Sequence, residues 1–251
     1  MSCPRAALFD LDETLAPSFE PPASEMIARV LSLLERIPVA IVTGRDFGRI
    51  GDDFLARVSA SAHVDRFFLL TEGAAQCFRW SGSAWREVYT ESLSPLECER
   101  IKTAFKEAAA ETGALEGLPV FGEQFVQKRA MMAFAALGIG VPRDLKYTWD
   151  PGNVRREKLF SAIKRALPDL EVLMGGATSI DVTRKGVDKA YGVRWLAEHL
   201  NIAPPDMLYV GDALYPGGND YVVIETGIKT RPTSGPEETA RILDELLVQC
   251  A

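Results

Sequence analysis

The sequence predicts an α/β fold in which a parallel sheet is interrupted by an inserted α+β domain. Up to about residue 71, short apolar runs alternate with segments of helical periodicity, which is typical of a parallel sheet covered by helices. The pattern then changes to a hairpin and a mixed region, and the alternation returns near the C-terminal end. With 251 residues, the chain is long enough for one or two domains.

Three buried strands are predicted in the N-terminal part, over residues 5–11, 39–43 and 67–71. Each is a short apolar run, as expected of strands that are buried on both faces. Apolar residues recur at helical spacing after Ser24 and over 46–59. These two segments are therefore predicted to be the helices that connect the strands.

The middle of the chain has a different pattern. Residues 74–80 and 84–90 are predicted to pair as a hairpin around a Ser-Gly-Ser turn. Ser94 and Glu97 form a capping box with Pro95 at the first helical position, so a helix begins here and ends near Gly113. The remainder is predicted to be strand-rich and irregular over 120–149, helical over 153–167, and extended over 170–174 and 178–183.

The alternation of helix and strand resumes with a helix over 187–200, a strand over 207–210 and a helix over 237–248. A sheet interrupted in this way is one discontinuous domain that carries an insertion. The sequence therefore predicts a core of residues 1–89 and 182–251, and an inserted cap of residues 90–181.

Composition and charge exclude several classes of partner. The net charge is −7 and the pI is about 5.1, so we expect binding neither to nucleic acid nor to a membrane. The longest apolar stretch, residues 131–141, is too short to span a bilayer. The first residues lack a signal-peptide pattern. The four cysteines lack metal-ligand spacing, so we expect reduced thiols in a cytoplasmic protein.

The first candidate site is the pair Asp10 and Asp12, directly after the first predicted strand. In extended geometry, residues two apart point the same way, and two such carboxylates repel unless a cation or a proton lies between them. Mg²⁺ suits such oxygen ligands. Asp10 is the candidate nucleophile, and Asp12 the candidate general acid and base. Taken alone, the pair could also be an Asx-rich turn.

Further candidates follow other predicted strands or begin a helix. Thr43 and Gly44 offer a hydroxyl and an accessible backbone to a phosphate oxygen. Lys189, at a helix start, can neutralise a phosphate, and Asp212 can bind the metal ion. Asn219 and Asp220 can orient Lys189 or the metal ligands. Each alone could be a turn, a surface lysine or a helix cap.

Taken together, these four motifs resemble, in order and context, those of the haloacid-dehalogenase superfamily. The specific matches are DxDxT over 10–14 and GDx…ND over 211–220. Residues 175–182, 186–189, 211–221 and 235–239 are also similar to eukaryotic-type phosphomannomutases, which carry an α+β cap between motifs two and three, as sucrose-phosphate phosphatases do. The resemblance implies a Rossmann-like core, and Mg²⁺ held by Asp10, Asp12 and Asp212.

The same resemblance implies a small phosphorylated metabolite as substrate and a possible homodimer formed through the cap. In the core, Gly44 and Arg45, which follow Thr43, are the candidate substrate-binding residues. In the cap, Arg129 matches an arginine of the family, and Ser179 and Asp181 match sugar-contacting positions.

Several departures from the family pattern bear on function. The chain has Val-Thr-Gly-Arg-Asp over 42–46 where the family has Gly-Gly-Ser-Asp. An arginine expected within 15–20 is absent, as are an asparagine and a second arginine expected after Arg129. Arg143, Arg155 and Arg156 are candidates to compensate. A mutase must bind a bisphosphorylated intermediate in two orientations, so it needs a second phosphate site, usually built from arginine forks.

The sequence therefore favours a Mg²⁺-dependent phosphatase that acts on a small phosphorylated sugar or sugar acid through an aspartyl-phosphate. A phosphomannomutase-like phosphohexomutase is the first alternative. A noncatalytic protein that binds sugar phosphates is the second.

Overall fold

The structure is a computed structural model that describes residues 3–251. The strands within this range are β1 Ala6–Phe9, β2 Val39–Val42, β3 Phe67–Thr71, β4 Gln76–Ser81, β5 Ala84–Thr90, β6 Phe125–Gln127, β7 Met132–Ala135, β8 Leu170–Met174, β9 Ser179–Arg184, β10 Met207–Gly211 and β11 Lys229–Pro232. The α-helices are α1 Ser24–Leu34, α2 Asp52–Ser59, α3 Pro95–Thr112, α4 Arg143–Thr148, α5 Val154–Ala166, α6 Lys189–Leu200 and α7 Pro236–Gln249.

The chain forms two compact units. The core unit contains the residues up to Thr90 together with Lys189–Ala251, and the cap unit contains Glu91–Asp188. The predicted cap, 90–181, ends inside β9, whereas the cap unit holds the whole of this strand. The boundary lies later because β9 pairs along its length with β7 and β8 of the cap sheet.

The core unit is built on a seven-stranded sheet with the order β11-β10-β1-β2-β3-β4-β5. The strands from β11 to β3 are parallel, and β4 and β5 extend the sheet as an antiparallel hairpin. This confirms the predicted α/β fold. Since β1 lies between β10 and β2, the segments that follow these three strands meet at one edge of the sheet, where ligands of open α/β sheets bind.

Apolar side chains fill both faces of this sheet. On one face, β1, β2 and β3 pack against α1, α2 and α7, with Leu33, Phe54 and Leu243 fully or almost fully buried. On the other face, α6 packs through Val193 and Leu196. Burial of a large aliphatic or aromatic side chain contributes about 1.5–3 kcal/mol, so this packing holds the strand ends in place.

The cap unit is a four-stranded antiparallel sheet with the order β6-β7-β9-β8. Helices α3 and α5 cover one face, where Phe105 and Ile163 pack against Phe134 and Val182. The predicted capping box starts α3, since the Glu97 N–H donates to Ser94 Oγ at 3.2 Å and the Ser94 N–H donates to the Glu97 carboxylate at 2.7 Å.

Three elements differ from the prediction. The predicted helix over 46–59 is a 3-10 turn, Phe47–Arg49, followed by α2, because Gly51 adopts a φ of 106° between them. Within 120–149, the last part is the short helix α4 rather than a strand. The edge strand β11 was not predicted, because Lys229, Thr230 and Arg231 do not form an apolar run.

The prediction that all four cysteines are reduced thiols is wrong for two of them. Cys3 and Cys250 form a disulfide across a separation of 247 residues. Cys3 and Cys250 lie side by side, since α1 and α7 pack together on the sheet that contains β1, and spacing along the sequence cannot reveal this. Cys77 and Cys98 are free and buried.

No helix within residues 3–251 is long and apolar enough to cross a lipid bilayer.

Candidate active site

Three neighbouring strands of the core unit deliver the central residues of the site. Asp10 directly follows β1, Thr43 directly follows β2, and Asp212 directly follows β10. Because β1 pairs with both of the other strands, the three residues share one edge of the sheet. Lys189, the first residue of α6, joins them there.

Lys189 is held between two buried carboxylates. Its Nζ lies 2.7 Å from Asp10 Oδ1 and 2.7 Å from Asp220 Oδ1. The relative exposure of Asp10 and Lys189 is 4% each, and that of Asp220 is 0%. A buried charge without a partner is costly, so the ammonium and the carboxylates stabilise each other. Two of the three ammonium protons are used here, and the third is available to a substrate.

Asp220 is fixed by further contacts that the sequence did not reveal. The Tyr209 hydroxyl donates to Asp220 Oδ1 at 2.6 Å, and the Ala213 N–H donates to Oδ2 at 3.1 Å. A Cβ on Gly211 would lie 2.3 Å from Asp220 Oδ2, so only glycine lets this carboxylate approach the strand. Asp220 thus contacts Lys189 directly, and its predicted role of orienting Lys189 or the metal ligands stays a prediction.

Asp10, Asp212 and Asp220 form a candidate cation site, because their carboxylates offer oxygens within 4.8 Å of one another. Three carboxylates face one lysine, which leaves an excess of negative charge. Burial raises the pKa of Asp10, although Lys189 opposes this shift, and burial together with Asp220 raises the pKa of Asp212. An all-oxygen donor set with unbalanced negative charge fits Mg²⁺, which would favour the ionised forms.

Asp12 has a different environment from the one predicted. Arg45 Nη2 lies 2.6 Å from Asp12 Oδ1, and Arg45 Nε lies 3.1 Å from Asp12 Oδ2. Its carboxylate is not a member of the three-carboxylate group, where Asp220 stands instead. The expected common direction of Asp10 and Asp12 assumed an extended chain, but β1 ends at Phe9 and Glu13 adopts a φ of 56°.

The loop after β2 is organised by Thr43. The Thr43 Oγ1 accepts a hydrogen bond from the Arg45 N–H at 3.1 Å, and Thr43 is fully buried. A Cβ on Gly44 would meet no protein atom within 4 Å, so packing does not require glycine there. The predicted phosphate contacts of Thr43 and Gly44 stay predictions.

Thr14 is a site residue to which sequence reasoning gave no role, although it ends the DxDxT motif. Its Oγ1 accepts a hydrogen bond from the Asp212 N–H at 3.1 Å and lies 3.4 Å from Asp212 Oδ1. This contact couples the loop after β1 to the loop after β10. Asn219 is half-buried beside Asp220, and its predicted supporting role is untested.

The cap residues that were predicted to bind substrate lie on β9 and in the turn between β6 and β7. Ser179 and Asp181 occupy β9, and a Cβ on Gly175 would lie 2.0 Å from Ser179 Oγ and 2.7 Å from Asp181 Oδ2. Gly175 therefore leaves room for both side chains. Arg129 is exposed in the turn between β6 and β7.

Comparison with known proteins shows which family this chain resembles over most of its length. Residues 26–249 match the family model described as eukaryotic phosphomannomutase. Phosphomannomutase from Oryza sativa subsp. indica is 27% identical over 242 residues, which cover 93% of this chain and 92% of that protein. Phosphomannomutase from Spinacia oleracea is 25% identical, with coverage of 96% and 95%.

Solved structures share the fold at lower identity. An IMP-bound, N-terminally truncated IMP-nucleotidase from Plasmodium falciparum has a TM-score of 0.73 at 17% identity, over 97% of this chain and 68% of that chain. Trehalose-6-phosphate phosphatase from Aspergillus fumigatus has a TM-score of 0.57 at 16% identity, over 98% and 94%.

Proposed function

The chain belongs to the eukaryotic phosphomannomutase family, within the haloacid-dehalogenase superfamily, and we propose that it acts as a Mg²⁺-dependent phosphatase on a small phosphorylated sugar or sugar acid. Members of this superfamily transfer phosphoryl groups, and this chain is such an enzyme. One observation carries the choice of phosphatase over mutase. The core unit holds a full set of phosphoryl-transfer groups, whereas the described strand residues on the uncovered face of the cap sheet include no arginine or lysine.

In the proposed reaction, an oxygen of the Asp10 carboxylate attacks phosphorus, and the bond from phosphorus to the leaving oxygen breaks. Asp12 gives its proton to that oxygen. A water molecule, deprotonated by Asp12, then attacks phosphorus, so that inorganic phosphate leaves and Asp10 is restored. The free N–H of Lys189 binds a phosphoryl oxygen. When bound, Mg²⁺ would be held by Asp10 and Asp212, with Asp220 nearby, and would supply positive charge to the phosphoryl group.

The uncovered face of the cap sheet supports a single phosphate rather than two. Residues on this face alternate with those packed against α3 and α5, and the strand pairing places on it Val126, Ala133, Ala135, Glu171, Leu173, Ser179, Asp181 and Thr183. These strand residues include two acids and no arginine or lysine, and the Lys185 ammonium pairs with the Glu171 carboxylate at 3.3 Å on the edge strand. A second phosphate would therefore find no guanidinium fork on these strands.

Two arginines that were candidates to compensate are used inside the cap. The Arg155 guanidinium donates to the carbonyl oxygens of Ala114 and Glu116 at 3.2 and 3.0 Å. The buried Arg156 guanidinium donates to the Gly176 carbonyl and to Asn153 Oδ1. Both hold loops of the cap, which favours the phosphatase further. Arg143, at the start of α4, is exposed.

A phosphomannomutase-like mutase is the second candidate, because the similarity to phosphomannomutases extends over nearly the whole chain. A panel of hexose 1- and 6-phosphates, assayed with Mg²⁺ for phosphate release and for isomerisation, separates the two. We expect phosphate release that EDTA abolishes, and no isomerisation with or without a hexose bisphosphate. Isomerisation stimulated by the bisphosphate would establish the mutase instead, and binding without turnover would indicate a noncatalytic protein.

Arg45 is proposed to position Asp12 in its ionised form, the form that takes the proton from water in the second step. Arg45 is buried, and besides its fork on Asp12 it donates to the Glu20 carbonyl at 3.0 Å. Lysine keeps the charge but lacks the fork, so we expect Arg45→Lys to lower kcat about tenfold, with KM within twofold, as for loss of a hydrogen bond to a charged group. Steady-state kinetics with p-nitrophenyl phosphate measure both constants.

Arg49→Lys is the matched control, because Arg49 lies in the same loop with a more exposed side chain that pairs with Asp46 at 3.4 Å. Its kinetics should equal those of the wild type. If Arg45→Lys raised KM and left kcat unchanged, Arg45 would bind substrate, as the sequence analysis expected, rather than position Asp12.

Other assignments are part of the same proposal. Ser179, Asp181 and Arg129 are proposed to recognise the sugar, and a homodimer through the cap is proposed from the family resemblance. A cytoplasmic location is also proposed, although the Cys3–Cys250 disulfide is unusual for a reducing compartment.

A further inference from the structure

We propose that Tyr209 is a positioning residue for phosphoryl transfer, because its hydroxyl fixes Asp220 and thereby sets the direction of the Lys189 ammonium. This inference rests on the proposed function, but it holds equally for a phosphatase and for a mutase. Tyr209 lies on β10, three residues before Asp212, and is fully buried. A buried phenol needs a hydrogen-bond partner, and here the partner is a carboxylate of the site.

The contacts of Asp220 show what the hydroxyl contributes. Asp220 Oδ1 accepts from Tyr209 Oη at 2.6 Å and from Lys189 Nζ at 2.7 Å, which uses its two lone pairs. Asp220 Oδ2 accepts from the Ala213 N–H at 3.1 Å. With both lone pairs of Oδ1 engaged, this oxygen acts on Lys189 rather than on a metal ion.

A continuous chain of short hydrogen bonds therefore runs from Tyr209 through Asp220 and Lys189 to the nucleophile Asp10. Without the hydroxyl, one lone pair of Oδ1 is released, and the carboxylate can rotate about its remaining contacts. The Lys189 ammonium could then move with either the Asp220 carboxylate or the Asp10 carboxylate. Its third N–H would therefore no longer point at one fixed position. Since the phosphoryl group needs that donor most in the transition state, the loss should appear in turnover.

Tyr209→Phe tests this inference, because it removes one oxygen and keeps the ring that packs in the core. Tyr89→Phe is the matched control, since the Tyr89 hydroxyl donates to the Ala74 carbonyl at 2.9 Å in the same sheet, away from the carboxylates. With Mg²⁺ and p-nitrophenyl phosphate, we expect Tyr209→Phe to lower kcat about tenfold, the range for a hydrogen bond to a charged group. Affinity for orthovanadate, measured by calorimetry, should fall by a similar factor. Tyr89→Phe should change neither.

A double-mutant cycle with Asp220→Asn distinguishes positioning from general stability. If Tyr209 acts through Asp220, adding Tyr209→Phe to Asp220→Asn should change kcat and vanadate affinity by less than about twofold, because coupled residues are not additive. Fully additive losses, or a Tyr209→Phe variant with wild-type turnover and wild-type vanadate affinity, would overturn the inference while leaving the proposed function intact.

The vanadate titration also separates this inference from the proposed function. If the wild type bound vanadate but turned over no substrate, the proposed function would fail, and the affinities of the variants would still decide the role of Tyr209. A wild-type protein that neither bound vanadate nor hydrolysed p-nitrophenyl phosphate would overturn both.

Discussion

Asp10→Asn is expected to lower kcat by about 10⁴-fold or more, the scale seen when a catalytic nucleophile is removed. The amide of asparagine cannot form the acyl phosphate, and no other carboxylate takes over its position. Asp212 and Asp220 belong to the same group, but Asp220 is committed to Tyr209, Ala213 and Lys189. Steady-state phosphate release from the best substrate of the panel measures this loss.

The same substitution should not unfold the protein. Burial raises the pKa of Asp10 in a site that already has excess negative charge, so a neutral amide relieves repulsion there. Thermal unfolding of the variant is expected at the wild-type temperature or above it. Asp244→Asn is the control, since Asp244 is exposed on α7 and pairs with Arg29 at 2.8 Å; its kcat should not change. If Asp10→Asn retained even one-tenth of the activity, Asp10 could not be the nucleophile.

Removal of the Cys3–Cys250 disulfide is expected to have the largest effect on stability. The bridge joins residues 247 apart, and cross-links that close such long loops contribute about 5 kcal/mol in the chain-entropy account. In a protein of this size, that loss corresponds to a fall in Tm of roughly 10–20 °C. Thermal unfolding of the Cys3→Ser/Cys250→Ser variant, compared with the wild type in the absence of reductant, measures the difference.

The reductant serves as the internal control for this prediction. Dithiothreitol should lower the Tm of the wild type towards that of the double variant and leave the variant unchanged. The kcat of the folded variant should stay at the wild-type value, because Cys3 lies before β1 whereas Asp10 follows the opposite end of that strand. A thiol titration that finds four free thiols in the folded, unreduced wild type would contradict the disulfide.

The sequence predicted the core of the site because its residues follow apolar runs. Asp10, Thr43 and Asp212 each come directly after a buried strand, and the ends of parallel strands meet in a way that periodicity alone can indicate. The same reasoning did not predict β11, because its polar residues form no apolar run and lie at an edge of the sheet.

Other features depend on contacts between residues far apart in the chain. The Thr14–Asp212 contact spans 198 residues and the Arg45–Asp12 contact spans 33, and nothing in the local pattern encodes either. The direction of the Asp12 side chain depends on the turn at Glu13, which has a positive φ. In the sequence, Tyr209 looks like an ordinary buried residue of a strand, and only the structure places its hydroxyl beside Asp220, which is the basis of its proposed role.

The central claim is that Asp10 is transiently phosphorylated, and chemical trapping tests it most directly. Enzyme quenched during turnover with Mg²⁺ and substrate is treated with borohydride, which reduces an acyl phosphate to an alcohol, and is then digested for peptide mass spectrometry. We predict that residue 10 is recovered as homoserine, and that the modification is absent without substrate. Recovery of unmodified Asp10 from enzyme in steady-state turnover, with homoserine at another aspartate, would contradict the account.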